Sequence, residues 1–477
     1  MKNRGMAGLL LAAVGVLALV AAGCGGSSKS SSSTGGGGTS AGVKALPAAN
    51  CNPIQYGGDG TADYLIASDL PLIGGSRVQT IQMTQAIAYV LKQHNWKAGD
   101  FKVAYQSCND ASAQLAKWDP TKCNANAHAY VGNKSLLGVI GTFNSGCAAI
   151  IIPVLNQAPG GGMLLFSPAN TYGCLTEQCT GGEPQKYYPS GKRTYARVAP
   201  SDPNQAGVVA KRMQDAGVKT LYILNDKEAY GLGIAKNVRG AAASAGINVV
   251  GFSAYDPKAP NFQATFTKIK NTNPDAIFIG GLVDENSGQL INDKVSILGP
   301  NTSTPKSKGG GVMLFLPDGF TTTSIFDKSQ GGTTNANGAY FTAPGTSIDN
   351  YKGAALSFIN GFKTAYNIKD VQPYAILAAQ AAEVLVGGSG VADGGAIGGS
   401  DGSRSQVINH VFASHVNNGL IGSFSFNKNG DITGATGAAL DYTVYLGKGS
   451  NLTTVATVVP VSSLVQAARR AGATASH

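Results

Sequence analysis

The feature that most restricts the fold of this chain is an alternation that begins at residue 62. The short apolar runs are "ADYLIAS" (62–68), "FKVAYQS" (101–107), "LLGVIG", "GMLLF", "LYILN" (221–225), "INVVGFS" (247–253), "AIFIGG" (276–281) and "VMLFLP" (312–317). Between them lie helical patterns: "RVQTIQMTQAIAYVLKQH", then 203–217, 229–245, 262–272 and 285–298. Unbroken apolar strands separated by helices predict parallel, doubly wound sheets covered on both faces. The series falls into two similar halves that meet near residue 198, so the expected fold class is α/β with two lobes. A chain of this length also exceeds one ordinary hydrophobic core. Later helices are expected at "SFINGFKTAY", "VQPYAILAAQAAEVLVGG" and "SQVINHVFASHV", and closing strands around 421–426, 440–447 and 453–459.

The N-terminus has a different character. Lys2 and Arg4 precede the apolar stretch "MAGLLLAAVGVLALVAA", the pattern of an export signal. Ala21, Ala22 and Gly23 lead into Cys24, which resembles the lipobox of bacterial lipoproteins. Residues 1–23 are therefore expected to be a signal peptide and Cys24 to carry lipid. Residues 24–60 are expected to form a Gly/Ser-rich tether holding the fold just outside the membrane. No later apolar run approaches the ~20 residues of a spanning helix.

Charge and cysteines narrow the function further. The formal net charge is +10, but charged residues make up only 13% of the chain and the basic ones are scattered. No basic stripe interleaved with aromatics is present, so nucleic acid is not an expected partner. Besides Cys24 there are six cysteines, an even set that favours disulfides in an exported protein. None has CxxC spacing, and the five histidines are not paired at ligand spacing, so neither a metal nor a cofactor is expected. Cys174 and Cys179 are close enough in sequence to staple a loop locally.

Two apolar runs end in small hydroxyl-bearing turns, "GTFNSGC" (141–147) and "SPANT" (167–171). Ser and Thr at such places often cap the following helix. In a doubly wound sheet, however, ligands collect outside the carboxyl ends of the strands. There, hydroxyls and helix N–H groups can hold an anion together.

Taken in order, "VIGTFNSG", "LLFSPANT", "RVAPSD", "NDKEAYGLGIA", "DAIFIGGL", "LPDG", "QPYAILAAQAA" and "LIGSFSFNKNGDITG" resemble type I periplasmic binding proteins, in the leucine/isoleucine/valine-binding branch. The resemblance covers about residues 62–460. It implies two doubly wound lobes joined by three crossovers near 198, 343 and 422, with a ligand cleft between them. The first lobe would comprise 61–198 and 344–422, the second 199–343 and 423–462, leaving 463–477 as a flexible tail. It also implies that Ser145 and Thr171 hold a ligand α-carboxylate and that Asp202 and Asp318 meet its ammonium. Tyr230 matches an aromatic lining the cleft. Leu282 stands where the family often has an aromatic, and Asp318 where it more often has Glu. Asp202 is equally an N-cap candidate for helix 203–217. For the cysteines, relatives that join the loop after the second strand to the serine-bearing turn imply Cys108–Cys147. Cys51–Cys123 then follows by exclusion, with Cys108–Cys123 a competing pair.

The first cleft loop offers Ser76 and Arg77 in place of the family's usual tyrosine, and residues 172–196 form a longer insertion than branched-chain proteins carry. The expected function is capture of a small zwitterion, an aliphatic or uncharged α-amino acid, by an extracytoplasmic lipoprotein. Its expected partners are the permease and ATPase subunits of an ABC importer, with the membrane reached through lipid on Cys24. A ligand-sensing lipoprotein and a binder of amide- or urea-like solutes remain alternatives. An enzyme is not expected, because no GxSxG elbow between a strand and a helix, no HExxH and no P-loop is present.

Overall fold

The computed structural model describes residues 42–474. The expected export signal, Cys24, the start of the expected tether and the last three residues lie outside them. Strands β1 (Tyr64–Leu70), β2 (Lys97–Ala98), β3 (Phe101–Asn109), β4 (Ala111–Ser112), β5 (Lys117–Trp118), β6 (Leu136–Gly141), β7 (Leu164–Ser167) and β8 (Tyr195–Arg197) come first. Six of them make a sheet in the order β2-β3-β1-β6-β7-β8, parallel except at short β2, while β4 and β5 pair as a separate hairpin. Next come β9 (Thr220–Asn225), β10 (Asn248–Ala254), β11 (Ala276–Gly280), β12 (Met313–Leu316) and β13 (Tyr340–Pro344). Strands β14 (His415–Gly419), β15 (Gly422–Phe426) and β16 (Ile432–Thr433) form a small sheet of their own. Strands β17 (Tyr442–Lys448) and β18 (Asn451–Val458) return as antiparallel additions to the second sheet, whose order is β10-β9-β11-β12-β13-β17-β18.

Burial explains the apolar runs. All six residues of β6 and all four of β7 are buried, as strands covered on both faces must be. One face of the first sheet is covered by α1 (Arg77–Gln93) and by later helices, the other by α2 (Pro120–Gly132) and α3 (Ser145–Asn156). The second sheet carries α4 (Asp202–Ala216) and α5 (Ala229–Ser244) on one face and α6 (Gln263–Asn271) and α7 (Ser287–Leu298) on the other. The chain then returns to the first core as α8 (Gly353–Tyr366), α9 (Pro373–Val386), α10 (Gly395–Gly398) and α11 (Arg404–Phe412). It ends in α12 (Ser462–Ala473).

Several expectations need correction. The third crossover lies near 440 rather than 422, because Phe424, Phe426, Ala438 and Ala439 all pack into the first core. Residues 463–473 are not a flexible tail. In α12, Leu464, Val465, Ala467 and Ala468 are buried against α4 and α5. Gly240 makes the approach possible, since a Cβ there would sit 2.4 Å from Ala471 Cβ and 2.6 Å from the Ala467 carbonyl. The tether is shorter than 24–60 as well: Val43 and Leu46 are buried, and Leu46 N donates to Gln106 Oε1 at 2.8 Å.

The cysteines pair as Cys51–Cys108, Cys123–Cys147 and Cys174–Cys179. The pairs Cys108–Cys147, Cys51–Cys123 and Cys108–Cys123 do not form. The segment containing Cys51 lies antiparallel beside β3, with Asn52 N donating to Ser107 O and Asn109 N to Asn50 O, which sets Cys51 directly against Cys108. Cys123 on α2 faces Cys147 on the neighbouring α3.

Candidate binding site

The site begins where β6 and β7 end. After β6 the chain turns through Thr142, Phe143 and Asn144 into α3, which starts at Ser145. After β7 it turns through Ala169 and Asn170 to Thr171. The two turns are tied together. Ser167 Oγ donates to Thr142 O at 3.0 Å, Asn170 Nδ2 donates to Phe143 O at 3.0 Å, and Tyr172 N donates to Ser145 Oγ at 3.4 Å. Fully buried Arg197 pins the second turn, donating from Nη1 to Asn170 O and Tyr172 O while Nε pairs with Asp431 at 2.7 Å.

Capping does not account for these residues. Asn144 holds the cap position of α3, yet its side chain makes no capping bond, and both its amide atoms are buried without a partner. Asp202 is not an N-cap either. Helix α4 starts one residue earlier than the pattern implied, so Ser201 takes the cap position and Asp202 the first helical one. The first-turn N–H groups of α3 therefore have neither an intrahelical partner nor a side-chain cap from Asn144.

The space beside Ser145 is a tight cavity whose closely approached walls leave room for about one water molecule. Ser145, Thr171, Tyr230, Leu282 and Asp318 line it, together with Trp118, Phe143, Asn144, Gly146, Ala169, Glu228 and Gly319. Five of the six ligand residues expected from the sequence are thus brought to one wall or another. Asp202 sits one layer behind, its N–H donating to Thr171 O at 2.8 Å. Arg77 is exposed and is not part of the cavity wall.

The second-lobe side is acidic. Asp318 accepts from the Tyr230 hydroxyl at 2.6 Å and from the Tyr374 hydroxyl of α9 at 2.6 Å. Asp202 is fully buried, and neither of its carboxylate oxygens has a hydrogen-bond partner. Among the described residues neither aspartate forms a salt bridge. Burial pushes both carboxyls up, and the charge of Asp318 raises Asp202 further. The nearby Thr171 hydroxyl opposes the shift of Asp202, and the two tyrosine hydroxyls oppose that of Asp318. Opposite them stand neutral donors: the Ser145 hydroxyl, the Asn144 amide and the Trp118 indole N–H, the last buried without an acceptor. The arrangement can hold an anion at one end and a cation at the other.

The rims of the two halves touch. Lys117 bonds to Glu228 Oε1 at 3.2 Å and to Glu285. Gly75 N and Ser76 donate to Asp284, and Ser324 Oγ donates to Gly75 O at 2.6 Å. The 172–196 insertion reaches across on another side, where Arg469 of α12 pairs with Glu177 at 2.8 Å and Thr180 N donates to Ala473 O. Trp118, Asn144 and Tyr374 were not singled out in the sequence. Tyr374 lies within "QPYAILAAQAA", and Trp118 is one of only two tryptophans, which was the available signal.

The likeness to known proteins follows the same lines. The Leu/Ile/Val-binding protein BraC3 of Rhizobium johnstonii is 27% identical over 264 residues, covering 55% of this chain and 65% of that protein. The chain therefore spans slightly less than two thirds of that relative's length. A leucine binding protein, LivK, from Thermotoga maritima superposes with a TM-score of 0.66 at 19% identity, over 83% of this chain and 99% of that one. The branched-chain amino acid transporter substrate binding protein LivJ from Streptococcus pneumoniae, in complex with isoleucine, superposes with a TM-score of 0.65 at 17% identity, with the same coverage. These structures share the two-lobed type I fold. Residues 66–436 match the family model described as periplasmic binding protein, and the chain belongs to that family.

Proposed function

We propose that this protein captures a small zwitterion, an aliphatic or otherwise uncharged α-amino acid, outside the cytoplasm and delivers it to the permease and ATPase subunits of an ABC importer. The observation that carries this reading is a pair of buried carboxylates, Asp318 and Asp202, with no cationic side chain bonded to either, across a small cavity from unpaired neutral donors. Two acids held together out of water are costly unless a cation joins them. A ligand ammonium beside Asp318, with Asp202 behind it, supplies that cation. Its carboxylate would lie against Ser145, Asn144, Thr171 and the start of α3, where N–H groups and the helix dipole favour negative charge. The relatives named above, one a leucine binding protein and one holding isoleucine, support the same ligand class. Anchoring through lipid on Cys24 completes the proposal.

The test is a thermal-shift screen of amino acids, amides and small organic acids on the intact protein. An amino acid at 100 times its Kd should add about 2.7 kcal/mol of stability. If no amino acid shifts the transition while amides or acids do, the zwitterion reading fails.

Acidification should weaken binding. The folded, ligand-free carboxyls of Asp202 and Asp318 sit above their usual value, so they take up protons in a range where an exposed Asp would be charged. An ammonium favours the ionised forms, so binding must expel those protons, and affinity falls as pH falls through the raised range. Calorimetry at pH 8 and pH 5 should show the weaker binding at pH 5. Equal affinities would remove the acids from the site.

A further inference from the structure

Besides its buried indole N–H, Trp118 brings a large ring to the wall of the cleft. It comes from β5, half of a two-residue hairpin pair that projects from the first sheet, and it is only 7% exposed. Its six-membered ring packs against Gly146 at the start of α3. A Cβ placed on Gly146 would stand 2.6 Å from Trp118 Cζ2 and 2.7 Å from Cη2, so only glycine admits the ring there. Glu228 of the second lobe reaches the same point, its Oε2 3.5 Å from that Cβ.

Trp118 and Glu228 also line a second, larger space that opens outward from the cleft. This vestibule is acidic. Asp226, Asp256, Asp284 and Glu285 face Lys117 and Lys258 across it. Asp226 is 3% exposed, and its Oδ2 has no hydrogen-bond partner. The vestibule thus holds a buried carboxylate with an unsatisfied oxygen, and the residues its wall shares with the inner cavity are Trp118 and Glu228.

We propose that Trp118 is the partition that sets ligand length: it confines the inner cavity to compact side chains and denies long cationic ones the acidic vestibule beyond. The inference rests on the amino-acid reading above and adds to it the residue that selects among amino acids. A compact aliphatic side chain ends against Phe143, Leu282 and the indole. A lysine or arginine bound by the same head group would have to pass the indole to reach Asp226, while Glu228, which lines both spaces, is already paired with Lys117.

Calorimetry of wild type, Trp118→Ala and Trp118→Phe against alanine, leucine, lysine and arginine tests it, with unfolding curves to establish that each variant is folded. Wild type and Trp118→Phe should bind the compact amino acids and reject lysine and arginine. Trp118→Ala should bind lysine or arginine at least tenfold more tightly than wild type does. Wild type binding arginine as tightly as leucine, or Trp118→Ala gaining nothing, overturns the partition. If wild type binds no amino acid at all, it is the zwitterion reading that falls. The partition is then scored with straight-chain carboxylates and amines of increasing length, where wild type should cut off at a shorter chain than Trp118→Ala. Equal cut-offs, or no binding of either series, overturn the partition as well.

Discussion

Asp318→Asn should weaken binding of the best amino-acid ligand by about 30-fold to several thousandfold, and it should not weaken the ligand-free fold by a comparable amount. The substitution keeps shape and removes charge. Losing one partner of a buried charge pair costs about 2–5 kcal/mol, and each 1.4 kcal/mol is about tenfold in Kd. Asn is the better test than Ala here, because Asp318 anchors two hydroxyls, those of Tyr230 and Tyr374, and Ala would leave both without an acceptor. The ligand-free protein behaves in the opposite sense. The carboxyl of Asp318 is raised by burial, so it costs stability as pH rises from the unfolded value of 3.8 through the raised folded one, and the cost persists above. Any stability advantage of Asn should therefore grow with pH across that window. Asp202→Asn should move binding in the same direction by less, because Asp202 lies behind Thr171 and does not form the cavity wall. Calorimetry and unfolding curves at pH 5 and pH 8 read both effects. Unchanged affinity for Asp318→Asn would place the ammonium elsewhere.

How much of this was legible in the sequence depends on the range of the interaction concerned. The unbroken apolar runs at 136–141 and 164–167 announce strands covered on both faces, and the hydroxyls at their ends are placed by strand geometry alone. Ser145 and Thr171 on one rim therefore followed from the pattern, and the family resemblance added Asp318 and Tyr230 across the cleft. Of the disulfides, the local Cys174–Cys179 followed from its spacing, whereas the other two did not, because Cys51 reaches Cys108 only after the N-terminal segment has docked beside β3. The helix at 462–473 was missed for a related reason. Half of its buried face, Ala467 and Ala468, is alanine, which looks weakly apolar until small partners such as Gly240 allow close packing. The third crossover was placed too early because β15 and β16 have the composition of any closing strands. Only their pairing with β14 and the burial of Phe424 and Phe426 assign them to the first core. Trp118 is the sharpest case: a two-residue strand has no periodicity to read, and its ring is placed against Gly146 of α3.

Lys117→Met should shift the protein towards an open form by roughly 30- to 100-fold while leaving each lobe folded. Lys117 stands beside Trp118 on the same hairpin and joins it to Glu228 and Glu285 of the second lobe. Glu285 has a side chain only 2% exposed, whereas Lys117 is 22% exposed. Removing one partner of a fully buried pair costs about 3–5 kcal/mol, and partial exposure of the lysine brings the expected cost to about 2–3 kcal/mol. The cost falls on the closed form specifically, because separating the rims returns Glu285 to water. Burial pushes Glu285 up to about 7 in the closed form, with Lys117 acting against the shift. The sign follows. The closed-form carboxyl sits above its ordinary value of 4.5, so ionising it disfavours closure as pH rises through that interval, and without Lys117 the penalty is larger. The variant should therefore differ least from wild type near pH 5 and most near pH 8. At pH 8, solution scattering should show a larger radius of gyration for ligand-free Lys117→Met than for wild type. Saturating ligand should restore compaction, since binding favours the closed form by its differential affinity for the two. The apparent Kd should weaken by the fraction of closed protein lost. An unchanged radius together with an unchanged Kd would mean that the rim contacts at Asp284 and Ser324 hold the lobes without the lysine.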